Sequence, residues 1–370
     1  MDNFVNDHIE KLKNYDPVES DDTLRSKYFL GEKEIIRLNA NENPYGSIKE
    51  INDKLSNFSF HNYPDSNQAK LRKFLSKYTG FPSENIVAGS GADEMIELIF
   101  KIYGKKEDVL IDLQPTFGMY SFLATSMGMK VINSPRKEDW SIDLIKTVEL
   151  INEHNSKMLF IASPNNPTGN VAKENEIKSL LETGSIVIVD ETYYEFCSKS
   201  TSNLLNSYEN IIILRSFSKW AGIAGLRIGY MIASKNVINN IFKIKQPYNV
   251  NLAAEVAAIT TLENSGKLIE NINLINNEKE KFFSFLKLYK NITPFPSEAN
   301  FILCKFKNND SEIIFNNLAK EGIFVRKFSG NDLKNYLRIS IGKPEQMKKI
   351  KNLIKSYYEK SWNQEKNKRN

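Results

Sequence analysis

The chain contains the stretch Ser216-Phe217-Ser218-Lys219 and, shortly after it, Gly225-Leu226-Arg227-Ile228-Gly229. An apolar run, Ile211–Leu214, comes just before the first motif and predicts a strand that ends there. Two hydroxyl side chains and the permanently charged Arg227 can bind a phosphate group, and Lys219 places an amine beside it. The two motifs therefore predict a site that holds a phosphorylated ligand next to a reactive amine.

Length and composition limit the class of protein. A chain of 370 residues is too long for one ordinary hydrophobic core and predicts two domains. Its hydrophobic content of 41%, charged content of 26% and net charge of +5 are typical of a globular protein and indicate neither nucleic-acid nor membrane binding. Cys197 and Cys304 match no disulfide framework, and no signal peptide or membrane-spanning run is visible, so a cytoplasmic location is expected. The three histidines do not cluster, and no metal site is predicted.

Short apolar runs alternate with helical stretches between residues 86 and 232. Seven runs predict strands, namely Ile86–Ala88, Val109–Leu113, Lys130–Asn133, Met158–Ala162, Ile186–Val189, Ile211–Leu214 and Ile228–Ile232. Most lack a polar/apolar alternation, as expected of parallel strands that helices cover on both faces. After about residue 265 strands and helices mix, which indicates a smaller α+β domain. We therefore predict an α/β fold with an N-terminal arm (1–37), a large domain with a mostly parallel sheet (38–265) and a small domain (266–370).

Polar motifs follow several of these strands, at the edge where ligands bind in such sheets. Ser90-Gly91-Ala92-Asp93-Glu94 precedes an apolar helix, whose first N–H groups either bind a phosphate or form an ordinary capped helix start. Phe117 could stack on a planar ring or pack in the core. Asn166, in the proline-rich loop 163–169, could donate to a ring oxygen or belong only to a rigid turn.

Asp190 ends the apolar run Ile186–Val189, so its carboxylate should be poorly solvated and needs a charged or hydrogen-bonded partner. A protonated pyridine nitrogen would be such a partner, and Tyr193 could donate to the phenolic oxygen of the same ring. The alternative is a metal-binding pair formed by Asp190 and Glu191. Together with Lys219, whose amine can form a Schiff base, the motifs predict pyridoxal 5'-phosphate (PLP) as the cofactor.

In this order the motifs resemble those of the fold type I PLP-dependent aminotransferases, most closely the histidinol-phosphate aminotransferase group. The resemblance runs from Asn39-Ala40-Asn41-Glu42-Asn43-Pro44-Tyr45-Gly46 to Leu337-Arg338-Ile339-Ser340-Ile341-Gly342. It implies that Lys219 forms the Schiff base and later moves a proton, and that Asp190 pairs with the pyridine nitrogen. The implied cofactor contacts are Ala92, Asp93, Phe117, Asn166, Asp190, Tyr193, Ser216, Ser218, Lys219 and Arg227.

The resemblance also implies a homodimer with shared active sites, because Tyr63 would reach the cofactor phosphate of the neighbouring subunit. Arg338 would bind the substrate carboxylate and Arg326 an anionic group, and Tyr15 and Asn43 would also contact substrate. The family often has a tyrosine at the position of Phe117, and the arm around Tyr15 lacks the glycine–lysine pattern common there.

The implied activity is amino transfer between glutamate and a small phosphorylated carbonyl compound, by default imidazole-acetol phosphate, in amino-acid biosynthesis. Another phosphorylated ketone, such as dihydroxyacetone phosphate, is an alternative acceptor. Decarboxylation of a phospho-amino acid, as in threonine-phosphate decarboxylases, is an alternative reaction on the same scaffold. A PLP-binding regulator is disfavoured, because the roughly 35 residues before the family match are too few for a helix-turn-helix domain.

Overall fold

The computed structural model describes residues 4–10, 12, 14–328 and 330–369. The chain forms two compact units, one of residues 1–15 and 46–270 and the other of residues 16–45 and 271–370. The division into an arm, a large domain and a small domain stays a prediction, and the first three residues of that arm lie outside the described residues. Within the described residues, no helix has both the length and the apolar character needed to cross a membrane.

Strands and helices alternate along most of the chain. The strands are β1 (Ile36–Leu38), β2 (Ile86–Gly89), β3 (Val109–Asp112), β4 (Lys130–Asn133), β5 (Met158–Ala162), β6 (Ile186–Asp190), β7 (Ile211–Ser216), β8 (Gly229–Ala233), β9 (Ile292–Pro294), β10 (Phe301–Phe306), β11 (Ile323–Lys327) and β12 (Tyr336–Ser340). The helices are α1 (Asp7–Glu10), α2 (Asp21–Tyr28), α3 (Lys49–Ser56), α4 (Ala69–Thr79), α5 (Gly91–Tyr103), α6 (Met119–Ser126), α7 (Leu144–His154), α8 (Glu174–Leu181), α9 (Tyr194–Cys197), α10 (Lys235–Ile244), α11 (Leu252–Glu263), α12 (Ser265–Leu286), α13 (Asp310–Lys320) and α14 (Pro344–Arg369).

The first unit is built on a seven-stranded sheet with the order β2-β8-β7-β6-β5-β3-β4. The pairs from β7 to β4 are all parallel, whereas β8 runs antiparallel to both β7 and β2. All seven predicted strands are present, and the predicted α/β fold with a mostly parallel sheet is confirmed.

Burial explains why these strands read as continuous apolar runs. Every residue of β5, β7 and β8 is buried, because helices cover both faces of the sheet. The core on one face includes Met95, Ile99 and Phe100 of α5, which pack against strand residues such as Ile212 and Met231. Each fully buried aliphatic side chain of this kind stabilises the fold by about 1.5–3 kcal/mol relative to an exposed one.

Polar residues set the ends of several helices. The side chains of Asp143 and Asn251 accept hydrogen bonds from the N–H groups of Lys146 and Ala254, which caps the starts of α7 and α11. Gly80 ends α4 in the left-handed conformation, where a glycine is favoured.

The second unit contains a five-stranded sheet with the order β1-β11-β12-β10-β9. Only β1 and β11 pair in parallel, and the other neighbours are antiparallel. Asn41 joins this unit through its N–H, which donates to Ser340 Oγ (3.0 Å), and its carbonyl, which accepts from Asn300 Nδ2 (2.9 Å).

Candidate active site

Three neighbouring strands bring the predicted residues of the first unit to one edge of its sheet. The strands β5, β6 and β7 are parallel, so their carboxyl ends lie at the same edge. Asp190, the last residue of β6, pairs with Ala162 on one side and with Leu214 on the other. The loop with Asn166 follows β5 and the loop with Lys219 follows β7, so Asp190 lies between the starts of the two loops.

The Asp190 carboxylate is buried and receives three hydrogen bonds. Asp190 is only 5% exposed. Tyr120 Oη donates to Oδ2 (2.6 Å), while the N–H (3.0 Å) and the hydroxyl (2.6 Å) of Thr192 both donate to Oδ1. Burial raises the pKa of Asp190, and the hydrogen bonds from Thr192 and Tyr120 act in the opposite direction because they stabilise the charged form. The carboxylate is therefore held in place to accept a hydrogen bond from a protonated nitrogen.

Glu191, the next residue, has a different partner. Arg215 donates to Glu191 Oε2 from Nε (3.0 Å) and from Nη2 (2.9 Å), and both residues are buried. In a buried ion pair of this kind each charge has its partner, so we assign Glu191 a structural role. Its contacts give no support to a joint metal site with Asp190, and the described residues contain no group of three His, Cys, Asp or Glu side chains that could hold a metal ion.

The start of α5 is suited to an anion. Gly91 has a φ of +80°, and the Ser90 side chain makes no capping hydrogen bond to the helix. The first N–H groups of a helix have no partner inside the helix, so those of Ala92 and Asp93 can donate outward. Since the helix dipole also favours negative charge here, this end of α5 can bind a phosphate.

Arg227 lies over the same helix start. Its Nη2 donates to Asp93 Oδ2 at 2.6 Å. A Cβ atom at Gly91 would lie 2.5 Å from that Nη2, and a Cβ atom at Gly229 would lie 2.6 Å from the backbone nitrogen of Ala92. Both glycines therefore leave room for the guanidinium and the helix start to come together, and this combination fits the phosphate of PLP.

Ser216, Ser218 and Lys219 follow directly at the end of β7. Ser216 pairs with Gly229 across the β7–β8 ladder, and its Oγ accepts a hydrogen bond from the N–H of Ser218 (3.1 Å). Phe217 and Trp220, each 1% exposed, stack with ring centroids 5.7 Å apart. These two aromatic anchors fix the backbone on both sides of the half-buried Lys219.

Two loops at the neighbouring strand ends are joined through Asn165. Its Nδ2 donates to the carbonyl of Pro115 (3.0 Å), and its Oδ1 accepts from Thr116 Oγ1 (2.8 Å). These bonds hold the loop with Asn166 against the loop with Phe117. Phe117 is half-buried and meets Tyr120 edge-on, with centroids 5.6 Å apart. The predicted ring-stacking residue is therefore a direct neighbour of the tyrosine that contacts Asp190.

Two further predicted residues of the first unit lie at its surface. Tyr63 is 79% exposed and stacks on Tyr248 with centroids 4.5 Å apart. Tyr15 is 38% exposed and meets Phe122 of α6 edge-on at 5.9 Å. Tyr193, in contrast, is buried at the start of α9. The roles of these three tyrosines stay predictions.

The remaining predicted residues, Arg338, Arg326 and Asn43, belong to the second unit. Arg338 is buried, its Nη2 donates to the carbonyl of Asn39 (2.6 Å), and its guanidinium lies over the ring of Phe301 (5.3 Å). Arg326 Nη2 donates to the carbonyl (3.1 Å) and the carboxylate (3.2 Å) of Asp16. Asn43 Oδ1 accepts from the N–H of Tyr45 (3.0 Å), and all three substrate roles stay predictions.

Sequence reasoning assigned no role to Tyr120, Thr192 or Arg215. A buried acid requires donors, and this requirement was visible in the sequence for Asp190. The donor Tyr120, however, lies 70 residues away, and no spacing rule connects the two positions. Thr192 is only two residues from Asp190, so its turn-forming hydroxyl was the one signal that could have been found locally.

Comparisons with known proteins identify the family of this chain. The family model "Aminotransferase class I and II" matches residues 33–354. Histidinol-phosphate aminotransferase 1 of Arabidopsis thaliana is 38% identical over 361 residues, 96% of this chain and 86% of the relative. The histidinol-phosphate aminotransferase of Roseiflexus castenholzii is 38% identical over 356 residues, 94% of this chain and 96% of the relative.

A solved histidinol-phosphate aminotransferase from Sinorhizobium meliloti, in complex with PLP, has the same fold. It superimposes with a TM-score of 0.86 at 22% identity and covers 96% of this chain and 98% of its own. The predicted fold type, enzyme class and cofactor are confirmed together. With a family model that spans most of its length, the chain belongs to the class I and II aminotransferases, enzymes that use pyridoxal 5'-phosphate.

Proposed function

We propose that this enzyme is a histidinol-phosphate aminotransferase. It would move the amino group of glutamate to imidazole-acetol phosphate, which gives 2-oxoglutarate and histidinol phosphate, and the reaction is reversible. The observation that supports this substrate is the similarity to relatives of that name, at 38% identity over 96% and 94% of the chain.

The first unit would provide the chemistry. PLP, when bound, supplies an aldehyde that takes up the amino group and a ring that withdraws electrons from the substrate carbon. Lys219 would hold that aldehyde through its amine and move a proton to and from the substrate carbon. Asp190 would accept the N–H of the ring nitrogen, Phe117 would stack on the ring, and Asn166 and Tyr193 would donate to its phenolic oxygen.

The phosphate of the cofactor would be bound by the side chains of Ser216, Ser218 and Arg227 and by the N–H groups of Ala92 and Asp93. Arg227 lies above the start of α5, and the absence of a side chain at Gly91 leaves room for its guanidinium there, which supports this assignment. It combines a fixed charge, hydroxyl donors and a helix N-terminus, the three groups that proteins most often use for phosphate.

Arg338 and Arg326 would recognise the anionic groups of the substrates. Glutamate carries carboxylates and the acceptor carries a phosphate, and a guanidinium binds either anion by two parallel hydrogen bonds. Arg338 would bind the carboxylate of glutamate, with Arg326 at the other anionic group and with Tyr15 and Asn43 at the neutral parts. The burial of Arg338 supports its role, because a buried guanidinium favours a planar anionic partner.

A panel of acceptors tests this proposal. The purified enzyme is given glutamate with imidazole-acetol phosphate, dihydroxyacetone phosphate or an unphosphorylated ketone, and the release of 2-oxoglutarate is measured. We expect the highest kcat/KM with imidazole-acetol phosphate. A higher kcat/KM with dihydroxyacetone phosphate would show that imidazole-acetol phosphate is not the preferred acceptor. Release of carbon dioxide from phosphothreonine without any keto acid would show that the enzyme is a decarboxylase.

We also propose that the enzyme is a homodimer in which Tyr63 completes the partner's site. The support is the 79% exposure of Tyr63, whose ring is stacked on that of Tyr248. Co-expression of Lys219→Ala with Tyr63→Ala tests it, because a mixed dimer has one site with both native residues. Random assortment should restore about one quarter of the wild-type activity. No gain over the separate variants would contradict a shared site.

A cytoplasmic location is proposed on chemical grounds. Cys197 and Cys304 are both free thiols in the structure. Free thiols persist in a reducing compartment, where disulfides are rare. Fractionation of the producing cells, with the enzyme followed by its glutamate-dependent activity, checks the location.

A further inference from the structure

The hydrogen-bond donors around Asp190 indicate how this chain would control the protonation of its cofactor. Tyr120 is fully buried in α6. Its ring stacks on Phe160, with centroids 4.7 Å apart and planes 15° apart, and meets Phe117 edge-on. Packing on two sides holds the ring in place, and its hydroxyl donates to Asp190 Oδ2 at 2.6 Å.

Thr192 engages the other carboxylate oxygen. Its N–H and hydroxyl both donate to Oδ1, at 3.0 and 2.6 Å, within a turn of two residues. Both oxygens of Asp190 are therefore bonded, and the plane of the carboxylate is fixed by groups from two separate elements.

The number of donors matters because the surroundings favour a neutral acid. Asp190 is buried, and the charge of Asp93 raises its pKa further. In a poorly solvated site, a carboxylate without donors becomes a stronger base and competes for the proton of a facing nitrogen. Each hydrogen bond to the charged form weakens that competition.

We propose that Tyr120 and Thr192 are positioning residues that keep Asp190 a weak, oriented base, so that the shared proton stays on the ring nitrogen of bound PLP. The inference rests on the proposed role of Asp190 toward that nitrogen. Neither residue touches the reacting atoms. Both act through Asp190, by determining where one proton resides.

The test is the ¹⁵N chemical shift of the ring nitrogen in holoenzyme reconstituted with ¹⁵N-labelled PLP. The variants are Tyr120→Phe, Thr192→Val and Thr192→Ser, and the matched control is Tyr78→Phe. Tyr78 is also a tyrosine whose hydroxyl donates to a side-chain carboxyl group, that of Glu195 (3.2 Å), so the control removes the same atom at a different acid.

We expect a protonated-nitrogen shift in the wild type, in Tyr78→Phe and in Thr192→Ser, which keeps the hydroxyl. Tyr120→Phe and Thr192→Val should move the shift toward that of neutral pyridine, and Tyr120→Phe should weaken PLP binding by about tenfold. If Tyr120→Phe and Thr192→Val both keep the wild-type shift, the positioning role is wrong. If the wild type itself has a neutral nitrogen, the proposed role of Asp190 fails first, and the two failures are thus distinguished.

Discussion

Replacement of Gly91 by alanine tests the phosphate site most directly. The residue has a φ of +80°, and a Cβ atom there would lie 2.5 Å from Nη2 and 3.0 Å from Cζ of Arg227. No Cβ approaches a guanidinium so closely, so the end of the flexible Arg227 side chain must shift from its present position over the start of α5. Gly225 is the matched control, because it is exposed, lies two residues from Arg227, and a Cβ atom there meets nothing within 4 Å.

The expected free-energy cost of Gly91→Ala has two parts. A non-glycine residue in the left-handed region costs roughly 1–2 kcal/mol, which should appear as lower stability of the protein without cofactor. Loss of a charge-assisted hydrogen bond from Arg227 to the phosphate costs about 1.5–3 kcal/mol. The second part corresponds to PLP binding that is weaker by a factor of about 10 to 150.

Titration of cofactor-free protein with PLP separates these parts. The near-visible absorbance of the lysine-bound cofactor gives the dissociation constant, and urea unfolding without PLP gives the stability. We expect Gly91→Ala to bind PLP more weakly and to unfold at lower urea concentration, and we expect Gly225→Ala to change neither property. Wild-type affinity in Gly91→Ala would refute the assignment of Arg227 and the α5 start as the phosphate site.

Three further predictions concern the acids near the sheet edge. Asp190→Asn should keep PLP bound, seen by its near-visible band, but lower kcat at least about 100-fold, because a preorganised charge is lost; an unchanged kcat would contradict the role of Asp190. Glu191→Gln leaves Arg215 buried without its charged partner and should lower the free energy of unfolding in urea by about 3–5 kcal/mol; a loss below 1 kcal/mol would show that the pair is dispensable. Burial raises the pKa of Glu195 from 4.5 to about 8, so the folded protein retains a proton that the unfolded chain releases. The free energy of unfolding should therefore fall as pH rises across that window, and Glu195→Gln should flatten this slope; an equally steep slope in the variant would rule out Glu195 as its source.

The strands of the first unit could be predicted because their environment leaves a strong signal. A strand covered on both faces must be apolar at nearly every position, and β5 to β8 meet that demand. The polar motifs at the strand ends were visible for the same reason, since each interrupts an apolar run. Local composition is sufficient for both kinds of feature.

The partners of these elements could not be predicted. Nothing in Ile36–Leu38 indicates that it pairs with Ile323–Val325, because strand pairing over nearly the whole chain depends on the tertiary fold. The same limit applies to Tyr120, whose contact with Asp190 arises only when the fold brings α6 to the end of β6. A buried acid in the sequence indicates that hydrogen-bond donors are required, but only the fold determines which residues provide them.

The direction of one strand, β8, explains why the proposed phosphate-binding groups meet although they come from distant parts of the chain. Its first residue, Gly229, pairs with Ser216 at the end of β7 and with Gly89 at the end of β2. Because β8 runs against both neighbours, Arg227, two residues before it, lies at the edge where β7 ends and where β2 leads into α5. A parallel β8 of the same five residues would start at the opposite edge, about 13 Å away at roughly 3.3 Å per residue step. An apolar run such as Ile228–Ile232 reads the same in either direction, so the feature that assembles this site is one that local sequence cannot reveal.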